Sequence, residues 1–183
     1  MDDLVVQAMA KWPNVPSCVG WLGLDARGDW YMRDANAQAQ GPFAGAGSST
    51  ASKGSRLQHT ALIGFIQRNY AVDDNGCWYF QNGPQRVFVE LEAAPWILRV
   101  QQQSDGFTVV THTGQPFVVQ QAFCDEQGRV FLQGDLGLGL VHSLDMLDCA
   151  SALEQEVWPL QSITFASLPA QWGYVLSPQQ RNG

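Results

Sequence analysis

Two glutamates on one predicted strand carry the most explicit chemistry in this chain. Glu90 and Glu92 stand two residues apart in Arg86-Val-Phe-Val-Glu-Leu-Glu92, and two residues of strand rise put them about 7 Å apart on one face. That spacing suits the general acid and base of an inverting glycosidase, with Trp78 or Trp96 able to stack on a sugar ring. The competing reading is a solvated strand face with Arg86 balancing its charge. It is the stronger of the two, because catalytic carboxylates face each other across a cleft, whereas these stand side by side.

A second constellation surrounds the same hairpin. Trp78, Tyr79, Asn82, Arg86 and Phe88 bring aromatic, amide and guanidinium groups together, a combination that can wall a small-ligand site. Its plain alternative is cross-strand packing. Elsewhere the signals are weaker. Gly134-Asp-Leu-Gly137-Leu-Gly139 has its glycines in the wrong order for a dinucleotide loop, and no Lys-Ser/Thr follows. Its bare glycine face calls for a covering backbone or aromatic ring. His59, His112 and His142 lack the i, i+4 spacing of a helical metal pair. The serines of 48–55 lie in no nucleophile elbow. Neither a metal site nor a cofactor is expected.

The elements that position these groups are legible from pattern. Val87, Val89 and Leu91 alternate with Arg86, Phe88, Glu90 and Glu92, the period of a half-buried antiparallel strand. An Asp-x-x-Gly phrase recurs at Asp25, Asp73 and Asp125, each time followed by strand formers. Asp can bond its own backbone and Gly tolerates positive φ, so each copy predicts a hairpin corner. Helical spacing appears over Asp3 to Lys11, from Leu57 to Tyr70 with Ser55 available as N-cap, and over about 145–155. Residues 35–55 are rich in Ala, Gly, Ser and Gln and read as a flexible loop. The corners lie 48 and 52 residues apart, a period that propeller blades also have, but three copies are too few to close a ring and helices interrupt the strands. The expected fold is α+β: two related lobes of mainly antiparallel sheet with a few helices, arising by internal duplication. A polar break at 101–106 places an N-terminal lobe at 1–102 and a β-rich C-terminal lobe at 103–183.

Charge and composition narrow the partners. With 45% hydrophobic residues and a net charge of -7, the chain has material for a core and repels phosphate backbones and anionic lipid heads. Nucleic acid and membrane are therefore not expected partners. The acidic start and the absence of a long apolar run predict a cytoplasmic protein. Cys18, Cys77, Cys124 and Cys149 form no CxxC pair and read as reduced.

The order of pieces resembles a known family. The turn and strand of Asp25 to Tyr31, the helix of Ala61 to Asn69, the strands around Trp78-Tyr79 and the run from Pro84 to Trp96 are similar to a proteobacterial family of domains of unknown function. There an Arg- or Lys-led strand enters Val-Glu-Asp-Ala-Pro-aromatic, which Leu91-Glu-Ala-Ala-Pro-Trp96 resembles. Thr111-His-Thr-Gly114 is similar to a turn in that family's second half. The resemblance spans about Gly20 to Leu153 and stops at the Ala/Gly/Ser loop and beyond Val157. It implies tandem α+β lobes and a regulatory or signalling role, with no family active site to transfer. The function expected is a non-catalytic module binding a small molecule or a protein, with a hydrolase acting through Glu90 and Glu92 as the alternative.

Overall fold

Three corners fold the chain by one mechanism in the computed structural model, which describes residues 1–181. Asp25 Oδ1 accepts from the backbone N–H of Asp29 at 2.9 Å. Asp73 Oδ1 accepts from Asn75 and Cys77, both at 2.9 Å, and Asp125 Oδ1 from Gln127 at 2.9 Å and Arg129 at 2.8 Å. The backbone N–H of each Asp donates at 3.0 Å to the carbonyl four residues on. Closing so tight a loop requires φ of 80°, 77° and 76° at Gly28, Gly76 and Gly128, a region that a Cβ makes costly.

The chain begins with α1 (Asp3–Lys11), β1 (Cys18–Leu24), β2 (Trp30–Met32), α2 (Ala35–Ala39), α3 (Thr50–Lys53) and β3 (Ser55–Arg56). It continues with α4 (Thr60–Arg68), β4 (Tyr70–Val72), β5 (Trp78–Asn82), β6 (Gln85–Leu91), β7 (Trp96–Gln103), β8 (Gly106–Thr111) and β9 (Val119–Cys124). The remaining elements are β10 (Val130–Gly134), β11 (Gly137–Val141), α5 (Met146–Glu154), β12 (Leu160–Ser162), α6 (Leu168–Trp172) and α7 (Pro178–Arg181). Contacts divide the chain into two units. One comprises residues 1–25, 29–92 and the segment starting at Tyr174; the other comprises 26–28 and 93–173. The polar stretch at 101–106 forms the end of β7 and the turn into β8, inside the second sheet.

Each unit holds one six-stranded mixed sheet. The first contains the order β2-β1-β6-β5-β4 and the second β8-β7-β11-β10-β9. In both, successive pairs run antiparallel, parallel, antiparallel, antiparallel. Each adds one further edge strand, β3 beside β2 and β12 beside β9. These are the two related lobes of an α+β fold. The second and third Asp-Gly corners occupy equivalent places, joining β4 to β5 and β9 to β10. In the second unit the core centres on Leu98, Val100, Ala122, Phe131 and Leu132, with Cys149 and Ala152 of α5 also buried.

The helix expected from Leu57 begins at Thr60, and its N-cap is His59, whose Nδ1 accepts from Leu62 N at 3.2 Å. Ser55 lies instead in β3, paired with Met32. The imidazole can supply the capping acceptor that a hydroxyl was expected to supply.

Residues 35–55 are also more structured than their composition predicts. Asp34 caps α2, Ser49 and Ser52 form a capping box on α3, and Phe43 is only 1% exposed. The physical reason is a seat in the sheet: a Cβ on Gly23 would lie 2.4 Å from the Phe43 ring. One large aromatic residue and a set of caps order a segment otherwise built of small residues. Gly23→Ala therefore displaces Phe43 and lowers stability by about 1–3 kcal/mol, read as a lower urea midpoint, and adding Phe43→Leu recovers part of the loss. Unchanged stability in the single variant contradicts this packing.

Candidate functional site

Strand alternation divides the sequence-predicted residues between two faces of the β5–β6 hairpin. Tyr79 stands opposite Phe88, Gln81 opposite Arg86, Phe80 opposite Val87 and Asn82 opposite Gln85. Residues directly opposite share a face, so Tyr79, Gln81, Arg86, Phe88 and Glu90 project together. Trp78 and Asn82 project the other way. Trp78 is buried with its ring 4.8 Å from Tyr70, which itself packs edge-on against Trp30 at 5.3 Å. Asn82 ends its strand exposed.

On the shared face, Tyr79 meets Phe88 edge-on with ring centroids 6.0 Å apart. The Arg86 guanidinium lies 4.7 Å from the centre of the Tyr79 ring, close enough for a cation–π contact. Arg86 is exposed, and no carboxylate lies within ion-pair distance of it among the described residues. Beside it opens a cavity of about 460 Å³ lined by Met9 and Trp12 of the N-terminal segment, Val15, Ser17, Gln81 and Arg86 among others. At the far end of the same face, a recess of about 310 Å³ is lined by Phe88, Cys77, Asp73, Asn75, Pro178 and Arg181.

The two glutamates have separate surroundings. Glu92 forms an ion pair with Lys53, whose Nζ is 2.9 Å from each carboxylate oxygen. Glu90 is 2% exposed. Ser177 Oγ donates to its Oε2, and the backbone N–H of Gln179 donates to Oε1 at 3.0 Å. Gln179 Oε1 in turn accepts from Arg33 Nη1 at 3.1 Å. Burial raises the Glu90 pKa, while the Ser177 hydroxyl, the Gln179 amide and the Arg33 charge pull it back down. Arg33 is pushed below its ordinary value, chiefly by desolvation.

The remaining candidates have structural partners. His142 Nδ1 accepts from Leu144 N at 3.0 Å, and His112 Nδ1 accepts from Ile97 N at 3.2 Å. Desolvation pushes His112 down to about 3, so its ring is neutral at physiological pH. In the Gly134–Gly139 hairpin, the Phe117 ring and the Val118 carbonyl lie where a Cβ on Gly134 would go, and Leu98 does the same at Gly139. On the bare Gly137 and Gly139 face, where a backbone or a ring was expected, an aliphatic side chain covers Gly139 and nothing lies within 4 Å of where a Cβ on Gly137 would go.

Arg33, Gln81, Trp12, Ser177 and Gln179 were not identified as site residues from sequence. Arg33 had one signal: a cation at the end of an apolar strand, followed by a small-residue segment whose carbonyls can approach closely.

Residues 1–179 match the family model DUF2944, whose description reads "Protein of unknown function (DUF2946)". The chain belongs to this family. Membership of an uncharacterised family, which the strand and turn motifs implied, is thereby shown for the DUF2944 protein. No curated protein matches it. Among solved structures, it is similar to a DUF1285 family protein from Shewanella baltica OS155, with a TM-score of 0.46 and 15% identity over 72% of this chain and 91% of that one. It is also similar to a DUF1285 family protein from Silicibacter pomeroyi DSS-3, with a TM-score of 0.45 and 13% identity over 82% and 84% of the two chains.

The buried carboxylate makes stability depend on pH. Because the folded-state pKa of Glu90 lies above its unfolded value, the folded state holds the proton more tightly between the two values. Stability then falls as pH rises through that window and levels off above the folded pKa. Urea titrations from pH 4 to 7 should show this decline in the wild type. Glu90→Gln should lack the component, so the variant gains relative to the wild type as pH rises. A difference that stays constant, or shrinks with rising pH, contradicts the assignment.

Proposed function

We propose that this DUF2944 protein is a non-catalytic binding module whose first unit presents the Tyr79, Arg86 and Phe88 face to a small molecule or a protein partner. The observation that carries the reading is Arg86, an exposed guanidinium stacked on an aromatic ring at the edge of a cavity, with no carboxylate paired to it among the described residues. In a chain of net charge -7, a cation held in this way favours anionic groups over the bulk of the surface. Pockets in the range of about 300–1,000 Å³ accommodate small ligands.

The partners of the two glutamates support binding over hydrolysis. Glu90 holds the segment starting at Tyr174 and Glu92 holds Lys53, so neither carboxylate faces the Arg86 cavity. A cytoplasmic setting is supported by four free cysteines, since thiols persist in reducing compartments. No helix among the described residues is long and apolar enough to cross a membrane. A regulatory or signalling role fits a module whose output is occupancy.

A thermal-shift and native mass spectrometry survey of metabolites and cell extract fractions tests this reading. At least one ligand or partner should stabilise the wild type, with a shift growing as about RT ln(1 + [L]/Kd), and Arg86→Ala should abolish it. Absence of any association across the survey, or stabilisation indifferent to Arg86, removes the support.

A further inference from the structure

The first and third Asp-Gly corners meet in the second unit, and a separate cavity of about 280 Å³ opens where they do. Residues 26–28, the tip of the first corner, belong to that unit. A Cβ on Gly28 would lie 3.2 Å from the His112 Cβ and 3.6 Å from the Ile97 Cβ, so the tip is seated closely on both residues, and that fixes where Arg27 stands. Arg129 lines the cavity from the third corner, Leu140 and Val141 from the end of β11, and Met146 from the start of α5.

The chemistry of this lining selects a ligand. Leu140, Val141 and Met146 make an aliphatic floor, and the flexible thioether of Met146 adapts to an irregular shape. Two of the residues lining the cavity are arginines, and none is an acid or an aromatic ring. Arg129 is already neutralised: its Nε donates to Asp125 Oδ2 at 2.7 Å, and its guanidinium lies 4.2 Å from the centre of the Phe165 ring. Its stem therefore serves as wall. Arg27 is exposed. The nearest acids of α5 and the turn before it are engaged on β7, where Asp145 pairs with Arg99 and Asp148 Oδ2 accepts from Gln102 N at 3.1 Å. A reachable guanidinium over an aliphatic recess is complementary to a single negative charge at the end of a hydrocarbon chain.

We propose that this cavity binds a medium-chain aliphatic carboxylic acid, with its hydrocarbon against Leu140, Val141 and Met146 and its carboxylate on Arg27. An aliphatic cavity of about 150 Å³ holds a benzene ring, so 280 Å³ accommodates a chain of about ten carbons. The site lies in the other unit from the Arg86 face and does not depend on it.

Methionine methyl resonances separate the two sites, because Met146 lines this cavity and Met9 the one beside Arg86. Protein with isotope-labelled methionine methyl groups would be titrated with butanoate, hexanoate, octanoate, decanoate and dodecanoate, each below its micelle concentration, and with the neutral octanamide. Met146 should move while Met9 stays. Affinity should rise about fourfold for each methylene that is buried and level off near ten carbons. Octanamide should bind at least about tenfold more weakly than octanoate, since it loses the charge-assisted contact. Arg27→Gln should bring octanoate down to the level of octanamide and leave the amide unchanged. That variant keeps the fold, since Gln127 already occupies the equivalent place in the third corner.

An unmoved Met146 across the series overturns the proposal. So does equal affinity for acid and amide, affinity indifferent to chain length, or octanoate binding that survives Arg27→Gln. A shift confined to Met9 also overturns it and credits the Arg86 cavity instead, so the two readings fail separately.

Discussion

A guanidinium with no exposed surface organises the first unit. Arg33 Nε donates to the Ser52 carbonyl at 2.8 Å and Nη2 to the Gly41 carbonyl at 2.7 Å. Nη1 is shared between the Gly20 carbonyl at 3.2 Å and Gln179 Oε1 at 3.1 Å. A cation taken out of water must have its donors satisfied and its charge compensated, or it costs several kcal/mol. Here carbonyls from β1 and from both ends of the 35–55 segment supply most of the acceptors. Glu90 supplies the compensating charge through Gln179, without a direct ion pair.

This requirement explains features that otherwise look unrelated. A segment rich in small residues becomes ordered because its carbonyls are needed at Arg33 and its Phe43 is needed over Gly23. The segment starting at Tyr174 returns to the first unit because Ser177 and Gln179 are needed at Glu90. Backbone bonds from Val175 to the Gly76 carbonyl and from Leu91 to the Leu176 carbonyl reinforce that return. A strand read as half-buried is consequently covered on both faces where Glu90 lies. Farther along the same strand the covering ends, and Arg86 remains exposed beside its cavity.

Local chemistry made part of this architecture legible in the sequence. The Asp-x-x-Gly corners depend on atoms within five residues, so their type and spacing sufficed to predict them. Helix α1 and strand β6 likewise follow from periodicity, and the duplicated α+β plan follows from the recurrence of corners and strands. What was not legible depends on distant partners. Whether Ser55 or His59 caps α4 is decided by the pairing of β3, and the burial of Arg33 is decided by a residue 146 positions away. The candidate site was less legible. Grouping Trp78 and Asn82 with Tyr79, Arg86 and Phe88 passed over the period-two alternation that puts them on the opposite face, and the place of Trp12 and Gln81 beside Arg86 required the N-terminal segment to be set against the hairpin.

Amide hydrogen exchange on Arg33→Lys tests the organising role of Arg33 most directly. Lysine keeps the positive charge but lacks the fork that reaches four acceptors. The account predicts that the amides of Ala37, Ser52 and Gln179 lose protection together, along with the Leu91 amide bonded to the Leu176 carbonyl, while β9 to β11 in the second unit retain theirs. Unchanged protection in the 35–55 segment and at Gln179 would contradict it.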